Sequence, residues 1–505
     1  MLAETTAPGR TYARRRPEET ALTRAVRDGL PGFERESEAR HASGLPAFVR
    51  QEFENFLGCG DLRRGFARFQ CTSCGTDRFV ALSCGGRGFC PSCLGRRMVE
   101  SAANLVDYAL PRVPIRHWIL SLPFELRTRL AWDHKLCRSV LAIFIDRLLG
   151  FLTQKAGAGQ RRGQARSGVV TVIQRAGSAG NLNVHFHTLA LDGAFSLGSR
   201  GQMEFAAIRS PTADEIGELT ESIHEGVVAL LSRRGLLALD TRMPEADFSP
   251  DAPELAGLYA ASVRELVAVG ERAGQKPFRL RSAATALKVQ RTGKRSARFG
   301  GFDLCATAVI PVTHRDRLEK VARYLLRPPI PESHLEYDGK LVILKLPTPR
   351  SDGTTALAFE PADFVARLAA LVIRPRVNQI LYHGILAPNA NLRREALRFG
   401  RPPQLPLAEE SDKPQKVRPS RSWAELMKRG MGLDVLACPK CSGRLRYIAT
   451  IMDRTEARRI LEHVGLWDHP AADPPPARAP PAEASAAANP NSMAAKLARL
   501  RTKIA

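Results

Sequence analysis

Residues 169–191, VVTVIQRAGSAGNLNVHFHTLAL, decide how the rest of the chain is read. VVTVIQR (169–175) is rich in β-branched side chains, NVHFHTLAL (183–191) alternates, and the short AGSAGN between them has turn composition, which predicts a hairpin. Alternate side chains of an extended strand share a face, so His185 and His187 point one way and Val184, Phe186 and Thr188 the other. Two imidazoles are thereby offered to one metal ion. A lone buried histidine is more often a hydrogen-bonded core residue, so the neighbours must choose between these readings.

Working outward, IRHWILSLP (115–123) reads as a strand. Cys137, Val140, Leu141, Phe144, Leu148 and Phe151 recur at helical spacing and predict one apolar face. Longer helices are expected at 212–235 and 254–273, a strand at FDLCATAVIP (302–311), and another at LVILKL (341–346). HRDRLEKVARYLLR (314–327) reads as a helix stopped by Pro328 and Pro329. On that helix Arg317, Lys320 and Arg327 share a face with Tyr324. A phenol with a reference pKa near 10 is a weak nucleophile, and adjacent cations favour phenolate while also holding a phosphate. The plainer reading is a half-buried tyrosine with solvated basic neighbours.

Six of the ten cysteines fall between Cys59 and Cys93. Cys71-x2-Cys74 and Cys90-x2-Cys93 are separated by 15 residues, a spacing that lets two knuckles supply four thiolates to one tetrahedral zinc. Cys59 and Cys84 are alternates that exchange with a paired cysteine or support a second ion. Such a zinc is structural, holding a module too small for its own core, with Arg87, Arg96 and Arg97 displaying charge beside it. A second pair, Cys438-x2-Cys441, looks like half a zinc knuckle, with His463 and His469 as candidate completing ligands.

The chain of 505 residues carries 75 Lys and Arg against 51 Asp and Glu, a formal charge of +24 that favours a polyanionic partner. The basic segments AGAGQRRGQARSG (156–168) and RTGKRSAR (291–298) suit a phosphate backbone. No apolar run of about 18 residues and no secretion signal is seen, so the expectation is a cytoplasmic protein of bacterial type, associated with the nucleoid and not with a membrane. The expected organisation is a basic lead-in at 1–49 with one short helix, a zinc-binding DNA-recognition domain at 50–97, and a catalytic core at 98–401. A Pro-rich linker at 402–422, a small Cys-x2-Cys module at 423–467 and a disordered Pro/Ala-rich tail at 468–505 follow.

Four stretches in order resemble the rolling-circle transposases of the insertion-sequence ninety-one family and its common-region relatives: CTSCGTDRFVALSCGGRGFCPSC, IQRAGSAGNLNVHFHTLALDG, ARYLLRPPI and NQILYHGILAPNANLR. The likeness runs over nearly the whole chain. It implies an α+β fold whose core is an antiparallel-sheet nuclease of the His-hydrophobic-His (HUH) kind, preceded by a zinc module and followed by the small cysteine module. By this resemblance His185 and His187 hold a catalytic Mg or Mn ion, which acts as a Lewis acid on the scissile phosphate. Tyr324 attacks single-stranded DNA to leave a 5′-phosphotyrosine and a free 3′-OH, with Lys320 assisting. Gln174 is the candidate third ligand if it pairs with Asn183 across the hairpin. Arg87, Arg317 and Arg327 are expected to contact DNA at element ends and target.

Several family members carry two tyrosines four residues apart, whereas Pro328 stands four after Tyr324 and Lys320 four before, so the chain resembles the single-tyrosine branch. Tyr382 lies 58 residues further on and reads as structural, with a DNA contact as the alternative. No Gly-x4-Gly-Lys-Ser/Thr loop is present, so no helicase motor is expected. The competing readings are a zinc-dependent DNA-binding regulator without catalysis and a rolling-circle replication initiator. Oligomeric state is not read from the sequence.

Overall fold

The computed structural model describes residues 16–40, 44–157, 165–236, 254–281, 295–401 and 422–467. It divides into a larger unit, Glu18–Leu57 with Gly85–Ser411, and a smaller one, Met1–Pro17 with Gly58–Cys84 and Asp412–Ala505. Both combine helices with antiparallel sheet. Most of the Gly-rich loop, the first half of RTGKRSAR, nearly all of the Pro-rich linker and the Pro/Ala-rich tail lie outside the described residues. No helix among the described residues is long and apolar enough to cross a membrane.

The larger unit is built on a six-stranded sheet in the order Ile380–Gly384, Gly168–Ala176, Leu182–Leu191, Ile115–Ser121, Phe302–Ala306, Ser296–Phe299. Every pairing in it is antiparallel. The expected hairpin stands at its centre, closed by a turn in which Gly177 N–H donates to the Asn181 carbonyl at 2.8 Å. Gly180 of that turn has φ +64, and a Cβ there would approach the Ile330 side chain to 3.0 Å, so the turn needs glycine on both counts.

The two faces of this sheet have separate tasks. Phe186 and Trp118 project to one face, where Phe144 and Phe151 of the helix His134–Ala156 meet them at ring-centroid distances of 6.4 and 6.0 Å. The spacing read from sequence is found there, except that Leu152 is buried while Phe151 is only partly covered. At the strand end, Arg116 and Asp192 form a buried bidentate ion pair at 2.7 and 2.8 Å. Its geometry matters because either charge alone would be uncompensated in a low-dielectric interior.

The opposite face carries Val170, Val172, Leu189 and Leu191, packed against Leu318, Ala322 and Leu325 of the tyrosine helix, Arg315–Leu325. Those three positions fall at i, i+4 and i+7 and form the stripe that seats this helix on the sheet.

Several expected elements differ. The helix predicted at 254–273 ends at Val263, because Glu265 takes a left-handed φ of 55° and Gly270 and Gly274 turn the chain. The strand expected at 302–311 stops at Ala306, after which only Ile310 bridges back to Ile115. The lead-in contains a 20-residue helix, Ala21–Arg40, rather than a short one. Its buried positions Leu22, Val26, Gly29, Leu30 and Phe33 follow helical periodicity despite Pro31. Gly29 permits a close crossing, since a Cβ there would lie 2.4 Å from the Pro361 backbone.

The smaller unit joins what sequence reading separates. The strand Leu445–Ile451 pairs with Phe66–Cys71, which pairs with Asp77–Ala81, so the C-terminal cysteine segment completes the sheet of the N-terminal cysteine segment. Leu62, Phe66 and Phe79 pack on Ala457 and Leu461 of the helix Arg454–His463, a core of five buried residues.

Candidate active site

The histidine strand, Leu182–Leu191, lies between Gly168–Ala176 and Ile115–Ser121. Its register sets His185 opposite Gln174 and Ser121, and His187 opposite Val172 and Ile119. Directly opposed residues share a face, so Gln174 does stand on the face of the two histidines. The pairing is with His185 rather than Asn183, two residues along, and the ladder also slips by one residue between Gln174 and Ala176. A shift of two residues keeps the face and changes the partner.

Each histidine has one nitrogen committed. The His185 Nδ1–H donates to the Asn183 carbonyl at 2.8 Å, which leaves Nε2 with its lone pair. His187 Nδ1 lies 2.9 Å from His117 Nε2, the two rings stacked at 5.1 Å. If His187 donates, its Nε2 is likewise bare, with the tautomer fixed by His117. The His185 and His187 rings are 4.8 Å apart, and the Tyr324 ring stands 6.2 Å from His187 at an interplanar angle of 89°.

Burial depresses all three imidazoles. It pushes His117 down to about 4, and it lowers His187 to about 2, with the neighbouring His185, His117 and Arg327 adding repulsion of the charged form. His185 is lowered for the same first reason, partly offset by its bond to Asn183. Neutral imidazole is the form that binds metal.

Tyr324 is 48% exposed and on the open side of its helix. The Arg327 guanidinium carbon is 4.3 Å from its ring centroid, a cation–π contact that stations a positive charge at the phenol. Lys320 makes a 3.8 Å ion pair with Asp316 across solvent, and Arg317 is exposed on the same helix. Gln174 ties the assembly together: its Nε2 donates to the Leu325 carbonyl at 2.6 Å, satisfying an end carbonyl of the tyrosine helix. Its amide oxygen remains for another partner.

Beside Gln174 a cavity of about 310 Å³ is lined by Arg87, Arg97, Arg175, Arg327 and His334, among others. The Arg87 guanidinium donates to the Val377 carbonyl at 2.8 Å, and its backbone N–H donates to Glu52. Burial lowers its pKa, so the cation is held in a partly desolvated wall. Tyr382 sits opposite Val170 and packs against the core, as expected of a structural residue.

In the smaller unit, the sulfurs of Cys71, Cys74, Cys438 and Cys441 all lie within 4.8 Å of one another. The expected grouping of Cys71 and Cys74 with Cys90 and Cys93 is therefore replaced: four thiols converge without them. His463 lies outside this set, and His469 is not among the described residues. Cys84 N–H approaches Cys59 Sγ at 3.5 Å. In the larger unit Cys90 stands at the N-cap of Pro91–Asn104, with Cys93 in the first turn, both buried.

His117 is the residue sequence reading missed. Its signal was a histidine beside Arg116 inside the mostly apolar strand IRHWILSLP, which pairs directly with the His-x-His strand.

Two families match the chain. One, described as "Transposase zinc-binding domain", covers residues 33–122, and the other, described as "Putative transposase", covers residues 168–394. No curated protein and no solved structure matches. A transposase binds DNA, and its zinc-binding domain accords with the clustered cysteines. The two matches, in this order along one chain, indicate a transposase family of the insertion-sequence ninety-one type.

Proposed function

We propose that this protein is a rolling-circle transposase that cuts single-stranded DNA with Tyr324 as its nucleophile. The observation that carries this reading is the approach of Tyr324 to His187, 6.2 Å between ring centroids, on the face shared by His185 and Gln174.

With His187 Nδ1–H donating to His117, His185 Nδ1–H to Asn183 and the Gln174 amide nitrogen to Leu325, two Nε2 lone pairs and one amide oxygen remain on one sheet face. A nitrogen–nitrogen–oxygen set suits Mn chemically, and Mg by cellular abundance. When bound, that ion supplies Lewis-acid polarisation of the scissile phosphate. Tyr324 loses its phenolic proton to solvent, its Oη bonds to phosphorus, and the bond from phosphorus to the 3′ oxygen breaks. The 3′ oxygen leaves as a hydroxyl after taking up a proton. Arg327, already against the Tyr324 ring, holds the phosphate, and Lys320 and Arg317 add positive charge along the helix. The phosphotyrosine conserves bond energy, so rejoining to another 3′-OH needs no nucleotide hydrolysis.

Arg87 and the other arginines of the adjacent cavity contact the strand, and the cysteine-rich segments recognise element ends, with Cys59, Cys84, Cys90 and Cys93 as further zinc ligands. The test is incubation with labelled single-stranded element ends in Mg, Mn or EDTA, resolved on a denaturing protein gel. A metal-dependent covalent band lost in Tyr324→Phe is expected. A band surviving the substitution moves the nucleophile elsewhere, and no band on verified ends favours a DNA-binding regulator. Covalent nicking with replication but no insertion in cells would mark a replication initiator.

A further inference from the structure

The Cys71 and Cys438 turns are two copies of one device. In the first, Gly75 N–H donates to the Cys71 carbonyl at 3.0 Å, and Cys71 N–H donates to the Thr76 carbonyl at 2.9 Å. In the second, Ser442 N–H donates to the Cys438 carbonyl at 2.9 Å, and Cys438 N–H donates to the Gly443 carbonyl at 2.7 Å. The residue after the second cysteine is left-handed in both, Gly75 at φ 69° and Ser442 at φ 59°. A serine held there bears strain that an unconstrained turn would release.

The two turns face each other. Cys71 Sγ is 3.5 Å from Cys441 Sγ, and Cys74 Sγ is 3.7 Å from Cys438 Sγ. Zinc–thiolate bonds of about 2.3 Å directed to a tetrahedron place sulfurs about 3.8 Å apart, whereas a disulfide requires about 2.05 Å. All four thiols are free. Gly443 is needed for the approach, since a Cβ there would sit 2.6 Å from Ser73 Oγ and 3.2 Å from Cys441 Sγ. Below the thiols, Thr72 N–H donates to the Arg444 carbonyl at 3.0 Å, Cys71 pairs with Leu445, and Phe69 and Leu436 pack around them.

We propose that Cys71, Cys74, Cys438 and Cys441 bind one structural zinc ion as four thiolates, closing a ribbon made from two segments more than 360 residues apart in sequence. The thiols release their protons to solvent on binding, and with four protein ligands no position is open for catalysis. The ion staples a unit whose buried apolar clusters, among the described residues, number five and three residues, too small to hold the C-terminal segment by burial alone.

Elemental analysis of the full-length protein, kept reduced, tests this. Cys71→Ser/Cys74→Ser and Cys438→Ser/Cys441→Ser should each lose about one zinc per chain, and the fourfold variant no more than either. A fourfold variant that loses twice as much assigns the pairs to different ions, and unchanged zinc in either pair variant removes that pair from the site; both outcomes overturn the proposal. Alkylation of the wild-type protein followed by mass spectrometry avoids any folding defect of the variants. The four cysteines should be protected together and exposed together by a chelator. Ready labelling of Cys74 or Cys441, whose residues are solvent-exposed, in the zinc-loaded protein would refute the site.

Discussion

The histidine site of the larger unit and the cysteine site of the smaller unit gather their groups in opposite ways. His185, His187 and Gln174 come from one hairpin, and each is fixed by a neutral hydrogen bond to protein before any ion arrives. Their surroundings are a packed sheet whose core does not depend on them. The four thiols come from two distant turns over a small core, and two of the four residues are exposed. Preorganisation by burial therefore prevails in the larger unit, and in the smaller one the fold leans on its ligand.

This contrast can be broken experimentally. Tyr324→Phe should lower covalent adduct formation by at least about a thousandfold, as expected for loss of a nucleophile, while binding of single-stranded DNA is retained. Retained adduct would mean that the preset face serves another nucleophile.

Chelation should unfold the ribbon of the smaller unit and leave the central strands of the larger unit folded. Hydrogen exchange measured with and without a chelator should show residues 66–81 and 436–451 losing nearly all protection, with the strands Gly168–Ala176 and Leu182–Leu191 unchanged. Equal loss in both units would end the distinction drawn here.

His117→Phe should weaken Mn binding by about 10–100-fold, the usual cost of losing an orienting partner of a ligand, in calorimetry on a Tyr324→Phe background. His117→Gln, which keeps a hydrogen-bonding group, should recover part of it. An unchanged affinity in His117→Phe would reduce His117 to packing.

In the larger unit, acid sets one buried carboxyl against the buried histidines. Burial, assisted by Glu360 and opposed by Arg272 and Arg367, raises the Asp363 carboxyl from 3.8 to about 7. The folded larger unit then binds more protons than the unfolded chain between these values, so this group's contribution to stability grows as pH falls from about 7 towards 4 and is lost as pH rises. Over the same range protons compete for the thiolates and zinc is released from the smaller unit. The buried His117 and His187, whose pKa values burial lowers, cost stability as pH falls over the same range. Asp363→Asn should therefore lose more stability than the parent between pH 7.5 and pH 5 in denaturant unfolding; an identical change in both proteins would remove Asp363 from the balance.

Much of the larger unit was readable because its signals are local. The alternation of NVHFHTLAL set the face of both histidines, and the apolar stripe of the tyrosine helix set its seat on the sheet. A bulge hid the register, since one slipped residue pair leaves no mark in composition. The helix Ala21–Arg40 was not read at its full length, because Pro31 and the surrounding charge obscure its Leu22, Val26, Phe33 spacing. His117 shows its role only once two strands are laid side by side. The cysteine grouping had no local signal at all: each Cys-x2-Cys turn supplies half a tetrahedron, and any two such halves satisfy the same spacing rule.

The separation of those halves also sets a clock. The first cysteine turn leaves the ribosome 364 residues ahead of its partner. At translation rates of about 5–20 residues per second, it waits roughly 20–70 seconds with two ligands where four are needed. The six-stranded sheet, whose last strand ends at Gly384, is synthesised within that interval. A message interrupted between residues 384 and 438 would thus yield the strands of the sheet and an unclosed ribbon, so ribbon closure doubles as a check that translation has passed residue 441.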